Sequence, residues 1–144
     1  MIDIESYVYT QVRNAVLGLY EGVYVTGSYT QTPKQLPCVM LTMTDNYVVE
    51  KGIDSSGVEN ETRVVFTVEV YTDFKSQKKV AAKALFQCVD EVMGQLNLVR
   101  TMYSSLPNMD KTIQRITGRY RGALKFEPSA NLLDPDTIRI YSKE

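Results

Sequence analysis

The chain has 144 residues, 44% apolar and 23% charged, with a formal net charge of −1. That length suits one domain burying roughly 70% of its unfolded surface, so a core forms without disulfides or metal. Near-neutrality excludes a general attraction to nucleic acid or anionic membranes, and the absence of any histidine removes the commonest general base, the usual zinc sites and every Ser–His or Cys–His nucleophile.

The neutrality conceals a split. Residues 1–61 hold eight acids against three bases, a net −5, whereas residues 62–144 hold thirteen bases against nine acids, a net +4. Either the halves pair within the molecule, or the acidic edge of one copy meets the basic edge of another, a contact that builds rings when the rotation closes. The first twenty residues include Asp3, Glu5 and Arg13 and no continuous apolar run, so no signal peptide is expected. Nothing approaches the ~18 apolar residues of a membrane span.

The first predicted element is a helix over 3–19. Ile4, Tyr7, Val8, Val12, Ala15, Val16 and Leu19 recur at spacings of three and four and form a stripe; Asp3 suits the cap and Gly22 the stop. A short strand is predicted at 23–26, then a loop punctuated by Pro33 and Pro37, then a strand over 38–49. The polar segment 50–60, with Gly52, Ser55, Ser56 and Gly57, reads as an exposed hairpin loop. In the strand over 61–72, Val64, Phe66, Val68 and Val70 alternate with Arg63, Thr67, Glu69 and Tyr71, and Val65 interrupts the polar side.

A long amphipathic helix is predicted over 76–96, with Val80, Ala84, Leu85, Cys88, Val89, Val92, Met93 and Leu96 on its stripe. Lys75, Lys78, Lys79 and Lys83 crowd its start, against the helix dipole. An extended piece at 99–103 and a turn at Leu106-Pro107-Asn108 lead into the strand over 112–126. There Ile116, Gly118, Tyr120, Gly122, Leu124 and Phe126 share one side, and Arg115, Thr117, Arg119, Arg121 and Lys125 the other. A polar face of three arginines and a lysine suggests that this face meets a partner. A last strand is predicted at 137–141. The order predicts a single α+β domain over 1–144: a mainly antiparallel sheet with two amphipathic helices packed on one face.

Chemistry is expected to be absent. There is no phosphate-cradling GxGxxG or GxxxxGK[ST] segment, and Cys38 and Cys88 lack a CxxC spacing and read as two buried free thiols. Asp90 and Glu91 diverge on a helix, Asp134 and Asp136 flank a turn proline, and Glu59 and Glu61 precede a strand. No titratable pair is brought together by spacing, so neither a catalytic residue nor a cofactor nor a metal is expected. Ten tyrosines read first as packing residues, second as interface residues, third as base-stacking residues.

The stretches VVFTVEVYTDFKSQKKVAAKALFQCVDEVM (64–93) and LVRTMYSSLPNMDKTIQRITGRYRG (98–122) resemble the tail terminator, or tail completion, proteins of long-tailed bacteriophages, also labelled minor capsid proteins. The shared features are a strand ending in Tyr, a polar turn, a lysine-rich entry to an alanine-containing helix, and an Arg-Tyr-Arg strand after a Pro-Asn turn. Residues 125–144 fall outside the resemblance. It implies a non-enzymatic virion protein that forms a ring, usually a hexamer, at the head-proximal end of the tail. Such a ring halts growth of the tail tube and offers a surface to the head–tail connector or head-closure protein, with genomic DNA passing through unspecifically and no membrane involved. On this reading Arg115, Arg119 and Arg121 contact acids of a neighbouring subunit, Glu59 and Glu61 among the candidates, or line the channel. The alternative is a nucleic-acid-binding α+β module using the Arg/Tyr strand 112–126.

Overall fold

The computed structural model describes residues 4–28, 35–48, 61–73, 82–106, 113–126 and 138–141; the side chains of 48, 61, 106, 125, 126 and 138–141 lie outside that description. Within it, the elements run α1 (Glu5–Leu19), β1 (Tyr24–Thr26), β2 (Cys38–Val48), β3 (Glu61–Asp73), α2 (Ala82–Gln95), β4 (Val99–Leu106), β5 (Ile113–Phe126) and β6 (Ile138–Tyr141). The sheet order is β1-β2-β3-β5-β4, with β6 continuing the β4 side of β5. Every pairing is antiparallel except β1 with β2. The architecture is therefore the expected α+β one, with both helices contributing to a core on one face of the sheet. None of the described helices is long and apolar enough to cross a membrane.

That core is built from the alternation read in the sequence. Val64, Phe66, Val68 and Val70 of β3 lie opposite Gly122, Tyr120, Gly118 and Ile116 of β5, and all four valine and phenylalanine side chains are fully buried. From above, α1 contributes Val8, Val12 and Val16, and α2 contributes Leu85, Phe86, Val89 and Met93.

The helices differ from expectation in detail. Tyr7 (49% exposed) and Leu19 (71%) are not part of the buried stripe of α1. Tyr7 sits about 140° round the helix from the centre of the Val8–Val12–Val16 line, on the geometry of 3.6 residues per turn, and Leu19 closes the last turn. Asp3 lies outside the described residues, and Ile4 occupies the cap position without a side-chain bond. Gly22 adopts φ 85°, the left-handed backbone that glycine takes without strain.

For α2, the segment 76–81 with Val80 and the lysines before Lys83 lies outside the described residues. Phe86, absent from the predicted stripe, is buried and central. The helix ends in a Schellman motif: Leu98 N–H donates to Met93 C=O (2.9 Å), Asn97 N–H donates to Gly94 C=O (3.0 Å), and Asn97 takes φ 62°. Buried Leu98 then points β4 back under the helix.

The pairing of β2 with β3 fits the predicted hairpin; the connecting segment 49–60 lies outside the described residues. Each of β2 and β4 carries an irregularity, between Met43 and Asp45 and between Arg100 and Met102. The extra residue is a threonine both times. Thr44 donates its hydroxyl to Val65 C=O (3.3 Å), and Thr101 donates to Arg119 C=O (3.4 Å). A β-bulge leaves its extra residue out of the ladder, and these hydroxyls tie it back to the neighbouring strand.

The two cysteines are buried free thiols. Burial pushes the Cys38 thiol up to about 11 from 9.0, and raises Cys88 too, with Glu91 adding to the effect.

Candidate functional site: the outer face of the sheet

Opposite the helices, the strands present a second face whose residues follow from the register. Asp45, Val65, Arg121 and Val99 fall in one row across β2, β3, β5 and β4; Thr42, Thr67, Arg119 and Met102 in the next; then Met40, Glu69, Thr117 and Ser104; then Cys38, Tyr71, Arg115 and Leu106. Arg115, Arg119 and Arg121 share this face, as their spacing of two requires.

The face is not uniformly wet. Cys38, Met40 and Tyr71 form a second buried cluster, packed with Leu36 and Ile113. Glu69 is only 6% exposed. Its Oε1 accepts a 2.6 Å hydrogen bond from Arg115 Nη2, and its Oε2 accepts one from the Tyr71 hydroxyl at 2.8 Å. The Arg115 guanidinium also stands 5.6 Å from the Tyr71 ring centroid, a cation–π contact. Glu69 and Arg115 are diagonal neighbours, since Glu69 opposes Thr117 and Tyr71 opposes Arg115. A buried carboxylate is held by two donors here, one of them the half-buried arginine, which is what burial of charge demands.

The three arginines therefore divide. Arg115, whose side chain is 23% exposed, is engaged inside its own subunit. Arg119 and Arg121 are exposed, in the two rows nearer the other end of the strand, with half-buried Arg63 beyond them opposite exposed Tyr47. Glu59 lies outside the described residues; the backbone of Glu61 opens β3 opposite Lys125. Among the tyrosines, Tyr71 and Tyr120 are buried, while Tyr24, Tyr47 and Tyr103 keep two-fifths or more of their surface exposed. Tyr120 lies on the helix-covered face, so the strand does not present that ring beside its arginines.

Sequence spacing does not reveal a further cluster, on the core side. The Tyr120 hydroxyl donates to Asp90 Oδ1 at 2.7 Å, and Arg100 Nη1 meets the same oxygen at 3.2 Å. Asp90 comes from α2, Arg100 from β4 and Tyr120 from β5, so the pairing ties the helix to two strands. One signal pointed there: a tyrosine on an apolar strand face has a hydroxyl that needs a partner when buried. The arrangement is a structural clamp, since the carboxylate is satisfied by two donors and Tyr120 is held protonated. Burial raises the Tyr120 phenol, and the hydrogen bond to Asp90 and its charge raise it further, against a lowering by Arg100. Among the described residues no group of three His, Cys, Asp or Glu could hold a metal ion.

These shifts fix an alkaline prediction. Cys38 and Tyr120 hold their protons more tightly when folded than when unfolded. Their contribution is complete below the unfolded values, near 9 and 10, and is lost as pH rises. Urea midpoints should therefore fall steeply between pH 9 and 11. Tyr120→Phe should cost about 1 kcal/mol at pH 7 through the lost hydrogen bond and flatten the decline above pH 10. Parallel pH profiles for wild type and variant would refute the assignment.

No family model matches this chain, and no curated protein matches it.

Proposed function

We propose that the protein is a ring-forming tail terminator of a long-tailed bacteriophage, a structural virion subunit that caps the tail tube, stops its polymerisation and presents a surface to the head–tail connector. The resemblance of 64–93 and 98–122 motivates the reading. The observation that carries it furthest is the division of the β5 arginines: Arg115 is used to hold the subunit together, whereas Arg119 and Arg121 stand exposed on a sheet face that neither helix covers. Exposed arginines on a rigid sheet suit charge-assisted contacts that set subunit register. The helix-covered face, by contrast, is occupied by the core.

Purified protein added to polymerising tail tubes tests the reading. Negative-stain images should show a density at one tube end and tubes that stop lengthening. Arg119→Ala with Arg121→Ala should leave the monomer folded yet weaken capping about tenfold or more, the loss of two interface arginines each worth about 1 kcal/mol or more. Tubes that grow to the same length with and without the wild-type protein would overturn the proposal. Salt-sensitive binding to duplex or single-stranded DNA, without capping, would favour the nucleic-acid module instead.

A further inference from the structure

The sheet ends on one side at β4, and among the described residues no strand pairs with its outer edge. An edge strand keeps a row of unpaired N–H and C=O groups, because alternate residues turn theirs toward the neighbouring strand and the residues between turn theirs out. Proteins blunt such rows with bulges, charge or proline. The β1–β2 edge is blunted: β1 is three residues long, and beyond it β2 carries the bulge at Thr44 and the exposed charge of Asp45. On β4 the blunting stops at the start, with Arg100 and the bulge at Thr101. From Met102 to Leu106 the register with β5 is unbroken and the sequence holds neither charge nor proline, for about 17 Å of strand.

The helix α2 flanks this edge. Asp90 meets Arg100, and the Phe86 ring meets Tyr103 edge-on at 5.1 Å. The helix therefore runs antiparallel to β4, with its start toward the far end of the strand. At 100° per residue, Lys83 and Gln87 lie within about 60° of Asp90 round the helix, and both are exposed. Strand edge and helix flank thus form a shelf with Tyr103, 44% exposed, at its base.

The charges on the shelf select the guest. Lys83 and Arg100 stand against Asp90 alone, whose carboxylate already takes bonds from Tyr120 and Arg100. Glu91 is turned about 100° from Asp90, toward the top of the helix. Exposed Arg119, opposite Met102, adds to the positive field. On the outer side of the same edge Met102 is half-buried, so an apolar neighbour suits it.

We infer that β4 between Met102 and Leu106 takes an extended segment of another protein as an added strand, with acidic residues on the α2 side and apolar residues beside Met102. Main-chain bonds hold such a guest, and alternate side chains select it. The inference stands apart from the tail reading: the guest is not a second copy, and the test contains no tail.

Two measurements on the full chain decide it. The first is fluorescence anisotropy with end-capped eight-residue peptides, one alternating Glu with Val and one alternating Lys with Val. The Glu–Val peptide should bind with saturation below about 1 mM, and the Lys–Val peptide about tenfold more weakly or worse. Methylating the amide nitrogens along one edge of the Glu–Val peptide should abolish binding, whereas methylating the other edge should not, since an added strand bonds through one edge. Lys83→Glu should weaken the Glu–Val peptide about tenfold; the peptide comparisons use the unmutated chain and do not depend on how that variant folds. The second is amide exchange by NMR. Alternate amides within Met102–Leu106 should exchange fast in the free chain and slow about tenfold or more when the peptide is bound. Outward amides already protected in the free chain at low concentration would overturn the inference, as would equal binding of the two peptides or equal loss from methylating either edge. Protection that grows with protein concentration in the absence of peptide would assign the edge to a second copy and overturn it too.

Discussion

Glu69→Ala should lower the free energy of unfolding by about 3 kcal/mol, near the low end for breaking a buried ion pair because Arg115 retains some solvent contact. The loss arises from what remains. Arg115 keeps its charge beside the Tyr71 ring without the carboxylate that accepts its 2.6 Å hydrogen bond, and the Tyr71 hydroxyl loses its acceptor. Glu69→Gln should recover part of the loss, since an amide oxygen still accepts one of the two bonds. Removing both charges, as Glu69→Leu with Arg115→Met, should cost less than Glu69→Ala alone, because no uncompensated charge is then buried. Urea unfolding of the four proteins measures these differences. A Glu69→Ala variant within 0.5 kcal/mol of wild type, roughly the range of ordinary surface changes, would show that the network does not hold the outer face.

Gly118→Ala should be strongly destabilising for a change of a single methyl. A Cβ there would stand 2.5 Å from Phe86 Cζ and 2.7 Å from Cε2. Phe86 cannot swing aside freely: it is buried, with the Tyr103 ring edge-on at 5.1 Å and the Tyr120 ring stacked at 6.4 Å. Overpacking of this kind costs about 1–3 kcal/mol, which for a domain of this size lowers Tm by roughly 4–10 °C. Phe86→Leu in the Gly118→Ala background should restore part of the loss, because it removes the clashing ring atoms. Without that coupling, or with a Tm unchanged by Gly118→Ala, α2 does not sit on β5 as described. The glycine is thus a packing requirement of the helix-covered face, independent of the arginines that flank it.

The sequence by itself determined the element order, the mainly antiparallel character of the sheet and the sides of β3 and β5 that enter the core. Alternation in 61–72 and 112–126 is a local property of the chain, and a period of two assigns faces before any partner is known. The same alternation placed Arg115, Arg119 and Arg121 together. It did not separate them, because burial depends on what lies across and above a strand. Only the register, which sets Tyr71 opposite Arg115 and Glu69 one pair along, decided that Arg115 is spent inside the subunit while Arg119 and Arg121 stay exposed. The Asp90–Arg100–Tyr120 clamp and the seat of Phe86 on Gly118 were likewise beyond local reading. They join residues of α2 to residues of β4 and β5, and such contacts come into being only when the helix lies down on the sheet.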